Sequence, residues 1–346
     1  MKVARFYAPG DLRIEDIPIP ELAPGEILVR VRACGTCGTD AKILTFGHHH
    51  LVPPRVLGHE VTGEVRELGP GTEGFSAGDR VQMIAAIPDG ECFECTHRSM
   101  SICSNQESIG YHYDGGFAEW IVVPAKVLRV NGLNLIPETT SFEEAAVTEP
   151  LACVLNGQEL ASLTARDVVV VIGAGPIGCL HVRMARARGA SQIVLIERST
   201  SRLGMSAERV APDVAIDTTK DDAVDAVLKL TRGRGADVVI TAAASSTAQE
   251  EAVHMAARGG RISFFGGLPK EDPFIKLDSN LVHYRELRVV GANGSTPAQN
   301  AEALRLISAG AVPVADLITD VLPLDLVHDA IDAVRSGHSI KVVVTP

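Results

Sequence analysis

Side chains that can hold a metal gather between Cys34 and Glu149. "CGTCGTD" carries Cys34, Cys37, Thr39 and Asp40; "LGHE" carries His59 and Glu60; "TEPLAC" carries Glu149. Thiolate, imidazole and carboxylate are the usual ligands of zinc and its neighbours. No single motif here is diagnostic. A Cys-x-x-Cys pair also does redox chemistry, and a lone histidine is commonly a satisfied core residue. "PDGECFECTHRSMSIC" adds Cys92, Cys95 and Cys103. A structural zinc takes four ligands, so Asp89 and His97 compete for the fourth place, or the site is incomplete.

A second kind of chemistry is written in "VVVVIGAGPIG". Gly173, Gly175 and Gly178, with Pro176 and Ile177, form G-x-G-x-x-G after an apolar run and before a helical pattern. In that context the first glycine permits a tight turn, the second admits a pyrophosphate, and the third lets helix and sheet close up. Glu197 ends the next apolar run, roughly 20 residues on, where a carboxylate can accept from ribose hydroxyls. It repels a 2′-phosphate, so NAD is expected over NADP. Arg198 and Arg202 follow at once and pull the other way.

The elements that position these residues change character near residue 150. Before it lie short strand-like runs such as "EILVRVRAC" and "AEWIVVP", punctuated by Gly/Pro turns, the pattern of an antiparallel barrel or sandwich. From Asp167 the rhythm is strand–helix–strand, which predicts a parallel doubly wound sheet. "TPAQNAEALRLISAG" and "LDLVHDAIDAVRSG" read as capped helices, and "IKVVVTP" as a last strand.

Composition narrows the partners. The 346 residues are 46% hydrophobic and 22% charged, with net charge -11, an ordinary globular balance. An acidic surface excludes nucleic acid and anionic membrane as main partners. No apolar run reaches a membrane span and the N-terminus has no signal-like h-region, so a cytoplasmic protein is expected. Five of the seven cysteines lie between Cys34 and Cys103, which in a reducing compartment points to metal or catalysis.

Taken together, "CGTD", "GHE", "GDRV", the cysteine loop, "DGGFAEW", "EPLA", "GAGPIG" and "KVVVTP" resemble the zinc-dependent medium-chain dehydrogenases. The likeness is strongest to their sorbitol (polyol) dehydrogenase branch and covers essentially the whole chain. It implies an α/β protein: a GroES-like β-barrel catalytic domain over 1–153, a Rossmann NAD-binding domain over 154–291, and a return to the catalytic domain over 292–346. It also implies two zinc ions per chain. Cys37, His59 and Glu149 stand where that branch holds its catalytic zinc, with Glu60 able to approach the metal and Asp40 orienting His59. Thr39 matches a proton-relay hydroxyl. Relatives space their structural cysteines C-x-x-C-x-x-C-x7-C, which places Asp89 first, ahead of Cys92, Cys95 and Cys103.

The activity implied is hydride exchange between NAD and a secondary alcohol of a polyol, sugar or cyclitol, with the ketone as product. A homo-oligomer is implied, a tetramer ahead of a dimer. Two features depart from relatives. Lys42 replaces a common relay histidine, and Glu149 stands where threonine-type amino-alcohol dehydrogenases, the alternative within the class, tend to carry Asp. A catalytically silent NAD-binding protein is the alternative outside it. His48, His49 and His50, together with His112, Tyr113 and Asn293, are candidates for a polar substrate pocket.

Overall fold

Period-two alternation builds the first sheet. In β1 (Ile27–Gly35) Arg30 and Arg32 face solvent, while Val29, Val31 and Ala33 face the core. α1 (Gly38–Phe46) follows at once. β2 (Glu60–Leu68) pairs antiparallel with β1, setting Gly35 opposite Glu60. β3 (Arg80–Met83), β4 (Trp120–Val123) and β5 (Leu133–Leu135) complete this part, β4 on β1 and the others beyond β2. α2 (Thr148–Leu160) opens with Glu149 in its first turn.

The next stretch is a continuous parallel sheet. β6 (Val168–Ile172) is an unbroken apolar run, as strands buried on both faces require. It leads through a glycine turn into α3 (Pro176–Ala187). β7 (Gln192–Glu197), β8 (Val214–Asp217), β9 (Ala236–Thr241), β10 (Ala256–Phe264) and β11 (Arg288–Gly291) follow. The spatial order is β8-β7-β6-β9-β10-β11 with every pairing parallel. This is the order of the dinucleotide-binding doubly wound fold.

The chain then returns to the first sheet. α4 (Pro297–Ser308) is capped by Thr296, whose side chain accepts from the Gln299 amide while Gln299 reaches back. β12 (Ile318–Pro323), α5 (Val327–Ser336) and β13 (Lys341–Thr345) end the chain. β13 pairs antiparallel with β1, Val344 opposite Cys34, and parallel with β12.

The computed structural model describes residues 1–346, and they form two units. One contains Met1–Ala152 and Gly294–Pro346; the other is Cys153–Asn293. Each has its own apolar core. Phe6, Ile27, Leu57 and Phe117 lie in the first; Val170, Val194, Val239 and Ile262 lie in the second. Burying each such side chain contributes about 1.5–3 kcal/mol.

Candidate active site and metal centres

Cys37 is the residue on which β1 turns into α1. It takes the N-cap position with extended backbone, and its amide donates to Asp40 Oδ2 at 2.8 Å. Asp40 Oδ1 lies 3.6 Å from His59 Nδ1. One buried carboxylate therefore holds both the thiol-bearing turn and the imidazole. Burial pulls the His59 pKa down, but Asp40 and Cys37 together outweigh it and the pKa ends well above the ordinary value.

Glu60 points into the same place. Its carboxylate is buried and receives the ammonium of Lys341, which also donates to the Thr36 carbonyl at 2.8 Å. Burial pushes the Glu60 carboxyl up to about 7, Lys341 opposing and Glu149 adding to the rise. Burial pulls Lys341 down, yet the Glu60 and Cys37 charges outweigh it and the ammonium stays charged. Gly35 makes room for this pair: a Cβ there would stand 1.9 Å from Glu60 Oε2 and 3.0 Å from Lys341 Cε.

Cys37, His59 and Glu60 each offer a ligand atom within 4.8 Å of the others. Glu149 lies outside that tight triad, but its charge reaches Glu60, Lys341 and Tyr111. The donor set suits zinc: one sulfur, one imidazole and carboxylate oxygen. Glu60 Oε1 is also buried with no hydrogen-bond partner, the condition a cation would relieve. Cys34 is fully buried, its sulfur packed where Gly58 and Gly116 leave space. Thr39 is half-buried in the first turn of α1, and Lys42 is exposed on that helix.

Asp89, Cys92, Cys95 and Cys103 form a second cluster within the same 4.8 Å limit. Asp89 Oδ1 accepts from the amides of Glu91 and Cys92, and Oδ2 accepts from Asn105 at 2.7 Å. These bonds, the Cys92 amide first, hold its carboxyl well below the usual range. An ionised carboxylate has about four acceptor sites, so room remains for one further cation contact. Burial pushes Cys95 up to about 12; a cation held here would favour the thiolate instead. His97 is exposed and stacks on Phe93 at 4.6 Å, with Nδ1 2.8 Å from Thr96.

The glycine turn divides its labour by position. Gly173 has φ +111°, a conformation closed to most side chains. A Cβ at Gly178 would meet the Gly173 carbonyl oxygen at 1.8 Å, whereas one at Gly175 would meet nothing. Gly175 thus leaves open space at the N-terminus of α3, where Pro176 and Ile177 begin the helix without a side-chain cap. Such an end attracts phosphate. Glu197 closes β7 beside this turn. Its carboxylate accepts from the amides of Ala174, Arg198 and Ser199 at 2.8–2.9 Å. Arg198 is exposed and Arg202 half-buried.

Near the metal-type triad, His48, His49, His50 and His112 pack ring against ring, and Tyr111 lies beside them. Neither Tyr111 nor Lys341 is among the residues that the sequence marks out. Tyr111 sits one place from His112, and only the fold turns it toward His59, ring centroids 6.5 Å apart. Tyr113 instead hydrogen-bonds Glu107 at 2.7 Å. Asn293 is exposed, its carbonyl accepting from Asn156.

A doubly wound sheet of this order together with a thiol–imidazole–carboxylate triad defines a metal-type, nucleotide-linked oxidoreductase architecture. Residues 23–131 match the alcohol dehydrogenase GroES-like domain, and residues 176–309 the zinc-binding dehydrogenase family. A sorbitol dehydrogenase of Halalkalibacterium halodurans is 32% identical over 98% of this chain and 97% of its own. An L-threonine 3-dehydrogenase of Pyrococcus furiosus is also 32% identical, over 95% and 93%. The crystal structure of a zinc-binding dehydrogenase from Sinorhizobium meliloti, bound to NADP, superposes with a TM-score of 0.92 at 33% identity, over 100% and 99%. The chain belongs to the zinc-dependent medium-chain dehydrogenase superfamily and is an oxidoreductase of its alcohol dehydrogenase family. Its fold is the GroES-like plus Rossmann α/β combination. No helix is long and apolar enough to cross a membrane.

Proposed function

We propose that this chain oxidises a secondary hydroxyl of a polyol, sugar or cyclitol with NAD, and reduces the ketone in reverse. The observation that carries the reading is the convergence of Cys37, His59 and Glu60 around an unpartnered Glu60 oxygen, with Glu149 nearby. Cys37, His59 and Glu149 would hold a catalytic zinc, with Glu60 as the approaching carboxylate. Zinc there supplies Lewis acidity toward the substrate oxygen, and NAD supplies the hydride acceptor.

The chain's own residues do the rest. Asp40 fixes the orientation of His59 and of the Cys37 turn. Lys341 compensates Glu60, so the Cys37 thiolate and Glu149 are left to balance a divalent ion. Thr39 carries the proton outward. Lys42 is exposed on α1, and the relay is not routed through it.

In this reading the unit containing Met1–Ala152 and Gly294–Pro346 is catalytic and the unit Cys153–Asn293 binds the cofactor. Gly173, Gly175, Pro176, Ile177 and Gly178 receive the pyrophosphate, and Glu197 the ribose. Arg198 and Arg202 support the competing NADP reading, as does the NADP bound to the S. meliloti relative. Asp89, Cys92, Cys95 and Cys103 hold a structural zinc, and the assembly is a homo-oligomer, a tetramer ahead of a dimer.

Metal analysis with an activity panel tests the proposal. Two zinc ions per chain, and NADH formed with polyols faster than with threonine, support it. Turnover of threonine alone favours the amino-alcohol reading. Bound zinc and cofactor without turnover on any alcohol contradicts catalysis. Asp89→Ala is expected to lower the zinc content to one per chain; two retained ions overturn the structural-site assignment.

A further inference from the structure

The four histidines beside the metal-type triad form a continuous ring cluster. His49 and His50 centroids are 4.0 Å apart, His48 and His49 4.5 Å, and His50 and His112 5.3 Å. His49 and His50 are exposed, while His48 and His112 are half-buried. Tyr111 meets His48 edge-on at 4.7 Å and lies 6.5 Å from His59. One tyrosine ring therefore separates the cluster from the candidate catalytic centre.

Backbone hydrogen bonds decide what the rings can offer. The His50 amide donates to His48 Nδ1 at 3.3 Å, and the Ser108 amide donates to His112 Nδ1 at 3.0 Å. With Nδ1 accepting, each neutral ring must carry its hydrogen on Nε2. Those nitrogens are donors, and they cannot ligate a metal without giving up that hydrogen. A metal site would be left with His49 and His50 alone, too few for an ion.

The surrounding charge also selects the ligand. Glu107, the carboxylate that acts on His112, is bound by Lys126 at 2.6 Å and Tyr113 at 2.7 Å. Asp114 accepts from Arg55 and from the Val56 amide. The charges that act on His48 most are those of the other three histidines. Burial, followed by these like charges, holds His48 below the ordinary histidine value. Burial and His50 do the same for His112, with Arg55 and Lys126 adding to it and Glu107 opposing. Protonating one of these rings costs more beside the others, and an anion lying against them would offset that cost.

We propose that His48, His50 and His112, linked to the Cys37–His59 centre by Tyr111, form a subsite for an anionic group on the substrate, a phosphate ester or a carboxylate. The proposal rests on the alcohol-oxidation reading above and narrows it. The favoured substrate is a sugar or polyol carrying its acidic group a few bonds from the reacting hydroxyl.

Histidine-ring NMR on the full-length zinc-loaded protein tests the subsite without relying on turnover. The three rings are titrated in inorganic phosphate and in chloride of equal ionic strength. Phosphate is expected to raise the midpoints of at least two of them by about 0.5 in pH or more, because an adjacent anion favours the charged ring. His112→Asn is expected to shrink the response of His48 and His50; His50→Asn gives an independent check on His48 and His112. Identical titrations in both salts overturn the proposal.

Turnover then separates the sources. A kcat/KM higher for a polyol phosphate than for its parent polyol assigns a phosphate; one higher for a sugar acid assigns a carboxylate. Either preference is expected to fall at least about tenfold in His50→Asn/His112→Asn, the scale of lost charge-assisted hydrogen bonds. Preference for the neutral polyol with no loss in that variant overturns the proposal. Phosphate-sensitive titration without turnover of any alcohol leaves the subsite standing and removes the alcohol-oxidation reading instead.

Discussion

Lys341, in the last strand, donates its ammonium to the carboxylate of Glu60, 281 residues earlier in the chain. Both side chains are buried, Lys341 4% and Glu60 1% exposed. The strand pairing makes this possible, because β1 lies between the two partners and presents Gly35 at the crossing. The pair joins the end of the chain to the metal-type centre and gives Glu60 its countercharge.

Breaking that pair leaves a buried carboxyl that either stays charged without a partner or takes up a proton. Lys341→Met is expected to lower unfolding stability by about 3–5 kcal/mol, the usual cost of removing one partner of a buried ion pair. The double change Glu60→Gln/Lys341→Met is expected to recover most of the loss, since neither charge then remains. Chemical denaturation of the three proteins reads this directly. A single-variant loss below about 1 kcal/mol would show that the pair is solvated.

Asp40 is expected to act through Cys37 and His59 rather than on substrate. Asp40→Asn keeps the shape but removes the charge that sits 3.6 Å from His59 Nδ1. Zinc affinity at the catalytic site should fall about 10–100-fold, the range for loss of a ligand's hydrogen-bonding partner. Competition against a chromogenic chelator measures it. Unchanged affinity would leave Asp40 a purely structural cap.

Cofactor choice is predicted to turn on Glu197. Its carboxylate stands beside the glycine turn and already binds three backbone amides. Glu197→Gln should shift the ratio of kcat/KM for NADP over NAD upward by about tenfold, one charge contact being worth roughly 1.4 kcal/mol. A wild-type preference for NADP, with no shift in the variant, would assign the choice to Arg198 and Arg202.

His181 gives the folded chain a pH dependence of its own. It is fully buried on α3, edge-on to Phe265 at 4.7 Å, with Nε2 unpartnered. Burial lowers its pKa to about 3, against an ordinary value near ~6.5 in the unfolded chain. Below about pH 6.5 the unfolded chain therefore takes up the proton first. This contribution to stability is complete above that pH and is lost as the pH falls toward 3. The loss amounts to several kcal/mol, because each tenfold difference in proton affinity between the two states is worth about 1.4 kcal/mol. His181→Met should flatten the decline in Tm between about pH 6.5 and 4; an unchanged slope would place the proton elsewhere.

Much of this is legible in the sequence because local chemistry writes it. The glycine turn, the helix that opens at Pro297 and the Asp89–Cys103 loop each lie within a short segment whose residues meet through nearby backbone. Legibility stops where sheet register decides the neighbours. "IKVVVTP" reads as a strand, but nothing in it says that Lys341 faces inward, since lysine in a strand ordinarily points to water. His112 is visible as a polar pocket candidate, yet its contact with His50 depends on two loops that only the fold brings together. Tyr111 is harder to pick out, because its neighbours carry the same chemistry and the backbone turn between them decides which one faces the centre. Glu149 is the residue expected to complete the ligand set, whereas Glu60 is the carboxylate that joins Cys37 and His59 in the compact triad.

Zinc stoichiometry and turnover measured on one preparation of Cys37→Ser bear most directly on the proposed catalytic centre. The native chain should contain two zinc ions and reduce NAD with a polyol or its acidic derivative. The variant should retain the Asp89–Cys103 zinc, lose the other, and fall in kcat/KM by at least about a hundredfold, on the order of 2.7 kcal/mol of transition-state stabilisation. Full zinc content with native turnover in Cys37→Ser would contradict the assignment of the reaction to the Cys37–His59 centre.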